Sequence, residues 1–448
     1  MSLAVTQTTT SDGLDGLLAS ELVPVIRWVF PLPPLSPLWP TRSRVTLGRD
    51  PDVDAVLPSN RVSRRHAELS RSGALWLLND LDSKNGVFVN GKRCSSAALS
   101  PGDVIRIGDY VGIYLSVPPN ADLSFAQVGP QIFGGFAHRA AVKRLAQLAS
   151  SDLPVVLEGA TGTGKERFAR AAHQLSQRQG PLLAVNCATY SKAVAAAELF
   201  GYRKGAFTGA DQASPGHIRA AQGGTLFLDE LVELPFEVQA MLLRAIENRE
   251  ILSLGETRPT IVDVKFVAAS QIPLADAVEQ GRFRADLRAR LEGTVIGLPL
   301  LGHCRDIVPE LFAELFKQHR GKQPLLSAAF AERLCLHEWP LNVRELDTHA
   351  RRLALVTADG ERLEPGALEG LAAPLKAVEP RAEAGRRRVT APGRSRAEHP
   401  YEQREMEGLV AALKACGGNI TKAAASLGLS RPKAYRMLEA ATQAGLVD

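Results

Sequence analysis

Residues 155–165 read Val-Val-Leu-Glu-Gly-Ala-Thr-Gly-Thr-Gly-Lys, a short apolar run followed by a glycine-rich turn that ends in lysine. The apolar run predicts a buried strand, and the residues after the turn have helical periodicity. Glycines let consecutive backbone N–H groups wrap a phosphate, and the start of a helix adds a favourable dipole. We therefore predict a phosphate-binding loop made of Gly159, Ala160, Thr161, Gly162, Thr163, Gly164, Lys165 and Glu166. A plain glycine-rich turn is the alternative that this segment leaves open by itself.

A second apolar run supplies the carboxylates that nucleotide hydrolysis needs. Residues 223–230 read Gly-Gly-Thr-Leu-Phe-Leu-Asp-Glu, which predicts a strand ending in Asp229 and Glu230. In such a position Asp229 is expected to hold Mg²⁺ through water and Glu230 to polarise the attacking water. A nucleotide and Mg²⁺ are therefore the expected ligands. A surface acidic pair is the alternative, which the presence of both motifs in one predicted sheet disfavours.

The chain around these motifs alternates between strand and helix patterns. Buried-strand patterns at 155–158, 182–186, 225–228 and 264–269 predict a parallel α/β sheet over residues 131–300. Residues 301–370 have helical patterns only, which predicts a helical lid. Short β-type runs between turn residues predict a β-sandwich over 25–118. We predict a disordered leader over 1–24, linkers over 119–130 and 371–400, and an all-α helix-turn-helix domain over 401–448.

Bulk composition agrees with a multidomain protein in a reducing compartment. The 448 residues are enough for about three domains. The net charge of +5 permits a nucleic-acid partner without requiring one. The five cysteines lack CxxC spacing, which argues against a disulfide framework or a zinc ribbon. A cytoplasmic location without a membrane partner is expected, because the first residues lack a signal-peptide pattern and the apolar stretch 21–40 contains six prolines and Arg27.

Several short motifs follow one another in the central part of the chain. In chain order they are GATGTGKE at 159–166, Asn186, ELFG at 198–201, GAFTGA at 205–210, GGTLFLDE at 223–230, FRADLRARL at 283–291 and WPLNVREL at 339–346. This order resembles the central domain of sigma-54-dependent activators, a branch of the AAA+ ATPases. The resemblance covers residues 131–370, and the GAFTGA motif is diagnostic of that branch.

The resemblance implies a role for each residue of the nucleotide site. Lys165 would bind phosphate, Asp229 and Glu230 would form the Walker B pair, and Asn186 would restrain Glu230 until phosphate is sensed. Gln271 departs from the family pattern, because relatives usually have Asn there.

Three arginines complete this site in the family. Arg284 and Arg290 would be arginine fingers that reach the neighbouring subunit, and Arg344 would be the nucleotide sensor of the lid. By composition alone, an Arg-rich amphipathic segment at 283–290 is also compatible with a solvated face. Because an arginine finger comes from the neighbouring subunit, the nucleotide site would lie between two subunits. The resemblance therefore implies a homo-oligomeric ring, in this family a hexamer. Leu341 departs from the pattern at a position where Gly is usual.

The GAFTGA segment consists of Gly205, Ala206, Phe207, Thr208, Gly209 and Ala210. Small residues around Phe207 and Thr208 allow the backbone to change shape, and an exposed phenylalanine at a loop tip favours a binding role. The alternative is a hairpin tip with Phe207 turned inward. The resemblance implies that this loop contacts sigma-54 of RNA polymerase when ATP is bound.

The predicted β-sandwich carries a set of polar loop residues suited to phosphate. Arginine forks, a hydroxyl and an amide on loops are what phosphopeptide recognition requires, although solvated turns have the same composition. Residues 45–115 resemble a forkhead-associated (FHA) domain, with its GR, SxxH and NG elements. The resemblance implies that a phosphothreonine protein, a Ser/Thr kinase or its substrate, binds Arg49, Ser63, Arg64 and Lys84, with Asn85 holding the peptide backbone.

The C-terminal residues predict a DNA-binding module. Helical patterns at 421–427 and from 430 to about 441 flank a turn at Gly428, as in a helix-turn-helix, although a plain helical hairpin is the alternative. Residues 417–438 resemble the Fis-type domain of the same activators. The DNA-contacting residues would be Lys422, Ser430, Arg431, Lys433, Tyr435 and Arg436.

The leading hypothesis is an enhancer-binding activator that hydrolyses ATP and remodels the closed complex of sigma-54 RNA polymerase under control of the FHA module. The departures at Gln271 and Leu341 motivate a second hypothesis, a phosphopeptide-gated DNA-binding repressor or scaffold without hydrolysis. A general AAA+ unfoldase is disfavoured, because its loop should carry an aromatic pore motif in place of GAFTGA.

Overall fold

Strands over residues 23–117 form two sheets that pack face to face. The computed structural model describes residues 22–192 and 194–369 together with Leu427. The sheets have the strand orders β1-β10-β9-β6-β7 and β3-β2-β4-β5-β8, which confirms the predicted β-sandwich. The strands are β1 (Val23–Phe30), β2 (Arg44–Gly48), β3 (Ala55–Val56), β4 (Ala67–Ser72), β5 (Leu75–Asp80), β6 (Val87–Val89), β7 (Lys92–Cys94), β8 (Ser96–Leu99), β9 (Val104–Ile107) and β10 (Tyr110–Val117).

The ends of the sandwich differ from the predicted boundaries. Val23 and Pro24 pair with Val117 and Ser116, so the expected leader over 1–24 overlaps strand β1 by two residues. Leu123 lies within the expected linker over 119–130, yet it is buried against Val25 and Val117. This segment is therefore packed, because its apolar side chain and its backbone both find partners in the folded chain.

The residues that follow form the α/β part of the fold. Its main sheet has the order β14-β15-β18-β13-β19, and every pairing in it is parallel, as predicted. The elements are β11 (Ala126–Gly129), β12 (Ile132–Gly134), α1 (Phe136–Ala149), β13 (Val155–Glu158), α2 (Lys165–Ser176), β14 (Leu182–Asn186), α3 (Ala195–Phe200), α4 (Gly216–Ala220), β15 (Thr225–Asp229), α5 (Phe236–Asn248), β16 (Glu250–Ile251), β17 (Thr260–Ile261), β18 (Lys265–Ser270), α6 (Leu274–Glu279), α7 (Ala285–Leu291) and β19 (Val295–Gly297).

A smaller helical subdomain, called the lid below, covers residues 301–369. It contains α8 (Val308–Arg320), β20 (Leu325–Leu326), α9 (Ala328–Leu336), α10 (Asn342–Val356), β21 (Arg362–Leu363) and α11 (Gly366–Glu369). The expectation of helices only was wrong for β20 and β21, which pair in parallel. Two-residue strands are too short to produce a periodic sequence pattern. The predicted linker over 371–400 and the domain over 401–448 lie outside the described residues, apart from Leu427.

Helix α1, in the α/β part of the fold, carries a buried histidine. His138 faces inward with Ala141, Val142 and Leu145. The residue is 7% exposed, and its Nδ1 has no hydrogen-bond partner among the described residues. Burial lowers the pKa of His138 from 6.5 to about 4, because the charged imidazolium would lose its hydration.

We predict that the free energy of unfolding decreases as the pH falls from 6.5 towards 4. In this range the unfolded chain protonates His138 while the folded chain keeps it neutral, so protons favour unfolding. The full pKa shift corresponds to about 3 kcal/mol. His138→Met should flatten the pH dependence measured by denaturant titration. The control His303→Met, at an exposed position, should retain the wild-type pH dependence, and equal flattening in both variants would contradict the prediction.

Candidate active site

The glycine-rich loop after β13 adopts a backbone that its sequence makes possible. Gly162 and Gly164 have φ angles of 80° and 98°, which residues with a side chain rarely adopt. A Cβ atom on Gly162 would also lie 2.0 Å from the carbonyl oxygen of Leu341, at the start of lid helix α10. Asn342 extends this contact by donating its Nδ2 hydrogen to the carbonyl of Thr161 at 3.0 Å. The loop and the lid therefore meet through a close backbone approach at Gly162 and a side-chain hydrogen bond from Asn342.

A cavity of about 510 Å³ opens between this loop, the ends of the parallel strands and the lid. Because β13, β14, β15 and β18 run parallel, the residues that follow them gather at one edge of the sheet. The predicted residues that line the cavity are Thr161, Gly162, Thr163, Gly164, Lys165, Glu166, Asn186, Asp229, Glu230 and Arg344. Gly159 and Ala160 lie at its base, where their carbonyl oxygens accept hydrogen bonds from Lys165 Nζ at 2.7 and 3.3 Å.

The lid contributes a wall that the sequence analysis did not predict. Leu311, Glu314, Leu315 and Gln318 of helix α8 line the cavity. Their spacing of three, four and seven residues places them on one stripe of the helix, which is the signal that could have identified them.

Charges inside the cavity perturb one another and lose hydration. Burial lowers the pKa of Lys165, although the carboxylates of Glu230 and Asp229 oppose this shift. Burial also raises the pKa of Asp229, and the neighbouring Glu230 adds to the effect. Positive and negative groups held in a partly dry cleft suit a site that receives both phosphate and a divalent cation.

Glu230 is held by a residue that the sequence analysis treated only as a departure. Gln271 Nε2 donates a hydrogen bond to Glu230 Oε1, and Thr161 Oγ1 donates to Gln271 Oε1 at 2.9 Å. Asn186 lines the same cavity, but its Oδ1 accepts from the backbone N–H of Ala188 at 2.9 Å. Glu230 is therefore hydrogen-bonded to Gln271, whereas the amide oxygen of Asn186 binds the backbone, and Gln271 links Glu230 to the glycine-rich loop.

The two predicted arginine fingers lie away from the cavity of their own subunit. Arg284 Nη2 pairs with Asp286 Oδ2 at 2.7 Å, and Arg290 is exposed. Neither residue lines the cavity, whereas Arg344 does. The assignment of Arg284 and Arg290 to a neighbouring subunit stays a prediction.

The GAFTGA segment forms a closed loop on the surface. Gly205 N–H donates to the carbonyl of Ala210 at 2.9 Å, and both Gly205 and Gly209 have positive φ angles. The ring of Phe207 is 46% exposed and packs on Tyr202, with 5.0 Å between ring centroids. Phe207 therefore lies on the surface and is not turned into the core, which was the alternative.

The predicted phosphopeptide residues come together on loops at one end of the β-sandwich. Arg49 N–H donates to the carbonyl of Ser63 at 3.0 Å, and Lys84 N–H donates to Ser63 Oγ at 3.1 Å. Asn85 Nδ2 donates to the carbonyl of Arg61 at 2.6 Å. Arg49, Arg64, Lys84 and Asn85 are exposed, so their side chains are available to a ligand.

His66 supports these loops from inside. It is fully buried, its Nδ1 accepts the N–H of Ser63 at 3.0 Å, and its Nε2 lies 3.1 Å from the carbonyl oxygen of Gly86. Burial lowers the pKa of His66, which favours the neutral ring that can accept the Ser63 hydrogen bond.

Three family models match the chain. They are the Sigma-54 interaction domain over residues 135–297, the FHA domain over 45–108, and the Bacterial regulatory protein, Fis family, over 401–438. The transcriptional regulatory protein ZraR of Klebsiella oxytoca is 38% identical over 322 residues, which are 71% of this chain and 70% of that protein. The chain belongs to the family of sigma-54-dependent transcriptional regulators.

Other proteins are similar to this sigma-54-dependent regulator over comparable shares of the chain. The nitric oxide reductase transcription regulator NorR1 of Cupriavidus necator is 39% identical over 68% of this chain and 62% of its own length. The sigma54-dependent transcriptional activator SfnR of Pseudomonas putida is 39% identical over 55% of this chain and 69% of its own. A crystal structure of NtrX from Brucella abortus in complex with ATP is 26% identical and covers 70% of each chain, with a TM-score of 0.48.

Two further findings concern the described residues of this regulator. None of their helices is long and apolar enough to cross a membrane. No group of three or more His, Cys, Asp or Glu side chains gathers among them as a protein-only metal site. Asp229 fits Mg²⁺ nonetheless, because that ion is commonly held by one or two carboxylates and the phosphates of a bound nucleotide. The predicted DNA-contacting residues lie outside the described part of the chain; they are Lys422, Ser430, Arg431, Lys433, Tyr435 and Arg436.

We predict that Gly162→Ala destabilises the regulator more than Gly164→Ala. Both substitutions place a side chain at positive φ, but only Gly162 faces the carbonyl of Leu341. Gly164→Ala should lower the free energy of unfolding by about 1 kcal/mol and Gly162→Ala by about 3 kcal/mol. Equal losses for the two variants in denaturant titrations without nucleotide would mean that the contact between loop and lid is unimportant for stability.

Proposed function

We propose that this regulator binds enhancer DNA, hydrolyses ATP, and uses the energy to remodel the closed complex of sigma-54 RNA polymerase. The observation that carries the proposal is the cavity in which Lys165, Asp229 and Glu230 meet at one sheet edge below the lid. The matches to the Sigma-54 interaction domain and the Fis family support the target and the DNA-binding step.

The chemistry follows from the residues around the cavity. Backbone N–H groups of the glycine-rich loop and Lys165 would hold the phosphates, and Asp229 would hold Mg²⁺. When bound, Mg²⁺ would supply positive charge that stabilises the transferred phosphoryl group. Glu230 orients and deprotonates the attacking water, and Gln271 fixes the carboxylate of Glu230 relative to Thr161.

Completion of the site requires a second subunit. The charge that develops on the transferred phosphoryl group is stabilised by arginines, and Arg284 and Arg290 do not reach the cavity of their own chain. Both residues lie near the surface, where a neighbouring subunit can receive them. We therefore propose that the active form is a homo-oligomeric ring, as the hexamers of this family are, with Arg344 contacting nucleotide from the lid.

Transfer of the energy is assigned to the GAFTGA loop. Its half-exposed Phe207 offers an apolar contact. A Cβ atom added to Gly205 or Gly209 would meet no other atom within 4 Å, so neither glycine is packed against the rest of the molecule. Glycine also adopts more backbone conformations than other residues, which suits a loop that changes shape when it engages sigma-54.

We predict that hydrolysis and remodelling can be separated by two variants. Glu230→Gln should lower ATP turnover by at least about 100-fold, because the amide cannot accept the proton of water. Phe207→Ala should retain ATP turnover and lose open-complex formation, because it removes only the apolar contact. The measurements are phosphate release across protein concentration and open-complex formation on a sigma-54 promoter with its enhancer.

A well-matched control is Phe236→Ala, which removes another exposed phenylalanine of the same α/β subdomain. It should support both reactions. Absence of ATP turnover in the wild-type protein at all concentrations would favour the DNA-binding scaffold over the activator. Loss of open complexes in Phe236→Ala as well as in Phe207→Ala would contradict the role of the GAFTGA loop.

Control of the activator is assigned to phosphothreonine recognition by the FHA domain. Arg49, Arg64 and Lys84 bring positive charge to one end of the sandwich, and Ser63 anchors two of the loops. Guanidinium groups and a hydroxyl on ordered loops suit a phosphate with its three acceptor oxygens. A Ser/Thr kinase or its phosphorylated substrate is the partner that this chemistry fits.

We predict that Arg49→Ala weakens binding to a pool of phosphothreonine peptides by at least about tenfold, since one charge-assisted contact is lost. The assay is fluorescence anisotropy with the phosphorylated pool and with the same peptides lacking phosphate. Arg42→Ala is the control, because Arg42 is an exposed arginine of the same sandwich that pairs with Asp54. Unchanged binding in Arg49→Ala would contradict the assignment.

A further inference from the structure

The outer face of the FHA sheet is apolar and covered by the lid. In strand β10, Tyr110 and Tyr114 face the sandwich core, whereas Val111 and Ile113 face the opposite side. A sheet of this kind is normally solvated on its outer face, so apolar residues there require a cover. Helix α9 provides it. The buried cluster consists of Val29, Val104, Val111 and Ile113 from the sandwich and Ala331 and Cys335 from α9.

An arginine within strand β1 fixes the position of the lid on this face. Arg27 is 3% exposed, and its Nε donates to the carbonyl of Leu123 at 2.6 Å. Its guanidinium also donates to the carbonyl of Asp306 and to the carboxylate of Glu310 at the start of α8. A buried guanidinium is tolerated only when its N–H groups are paired, so sliding of the lid over the sheet is unfavourable.

A second set of polar contacts lies beside the apolar cluster. Arg106 of strand β9 pairs with Glu332 of α9, with 2.7 Å between Nε and Oε2. Arg305 Nη1 donates to the carbonyl of Gly102 at 3.2 Å. Polar contacts beside a buried apolar patch are typical of a specific interface.

Helix α8 connects this interface with the nucleotide cavity. Glu310, which binds Arg27, lies one helical turn before Glu314, which lines the cavity together with Leu311. The contact with the FHA domain and the wall of the cavity are therefore about 5 Å apart along one rigid helix.

Strands β9 and β10 form a hairpin, and its turn contacts residues 59–64. This segment carries the predicted ligands Ser63 and Arg64 and is called the phosphopeptide loop below. Asp109 in its turn accepts a hydrogen bond from Ser59 Oγ at 2.6 Å and lies 3.7 Å from Arg61. A Cβ atom on Gly108 would be 2.9 Å from the carbonyl oxygen of Arg61, so the turn and the loop are in close backbone contact. The carbonyl of Arg61 in turn accepts the hydrogen bond from Asn85. The hairpin thus contacts the lid along its strands and the phosphopeptide loop at its turn.

We propose that the nucleotide cavity and the phosphopeptide loops are coupled through the β9–β10 hairpin and helix α8, so that a ligand at either site changes the affinity of the other. Linkage requires the two effects to be equal. The proposal rests on the proposed binding of nucleotide and of phosphothreonine, and it adds the route and the reciprocity.

Hydrogen exchange of the full-length protein with and without saturating ADP tests the nucleotide side of the coupling. In the wild type, ADP should slow exchange at least about threefold in residues 159–166, in β9 and β10, and in residues 59–64. Arg27→Met should retain the slowing at 159–166 and lose it in the FHA domain. Arg106→Met serves as a second variant with a less buried arginine, and it should reduce the same effect. The control Arg71→Met, at an exposed arginine of the sandwich, should behave as the wild type.

The possible outcomes distinguish a failure of the coupling from a failure of nucleotide binding. Slowing at 159–166 without any change in β9, β10 or 59–64 of the wild type would overturn the coupling and leave the proposed ATPase intact. No slowing at any of these segments would contradict nucleotide binding and the coupling together. Unaltered slowing in both Arg27→Met and Arg106→Met would overturn the route through this interface.

The reciprocal measurement uses the phosphothreonine peptide pool. A saturating concentration of the pool should change the dissociation constant of ADP by at least about fivefold, and ADP should change peptide affinity by the same factor. Peptide binding with no effect on ADP affinity would contradict the proposal while supporting phosphothreonine recognition.

Discussion

Parallel pairing of β13, β15 and β18 is the constraint on which the active site depends. Parallel strands end at the same edge of a sheet, so three segments far apart in sequence deliver Lys165, Glu230 and Gln271 to one cavity. The charges then act on one another because they share a partly buried space. Burial lowers the pKa of Lys165 against the opposing carboxylates, and it raises the pKa of Asp229 together with the neighbouring Glu230.

The lid closes this cavity through contacts that depend on backbone shape. Gly162 lets the loop approach the carbonyl of Leu341, and Asn342 ties the first turn of α10 to Thr161. Helix α8 forms another wall of the cavity, and its Glu310 binds Arg27 of the FHA domain. Helix α8 is therefore in direct contact with the FHA domain and also lines the cavity.

Local motifs were predictable from the sequence, whereas contacts between distant segments were not. The phosphate-binding loop, strands 155–158 and 182–186, and the cluster of Arg49, Ser63 and Asn85 follow from short patterns whose chemistry is local. The bond from Gln271 to Glu230 depends on side-chain reach across two strands, which spacing along the chain does not encode. The docking of the lid on the sandwich is reflected in the sequence only by the continuous apolar run around Arg27. Such a run predicts a strand buried on both faces, but it does not identify the element that covers the second face.

The pairing of Arg27 with Asp306 and Glu310 forms late during synthesis of the chain. These partners are separated by 279 and 283 residues, so the sandwich leaves the ribosome long before its cover exists. At about 5–20 residues per second, the guanidinium of Arg27 lacks its carboxylate for roughly 15–60 s. Val111 and Ile113 precede Ala331 and Cys335 by about 220 residues, so the face that they form is in contact with solvent for roughly 10–45 s. The nascent sandwich therefore offers chaperones an apolar surface that disappears when helices α8 and α9 dock.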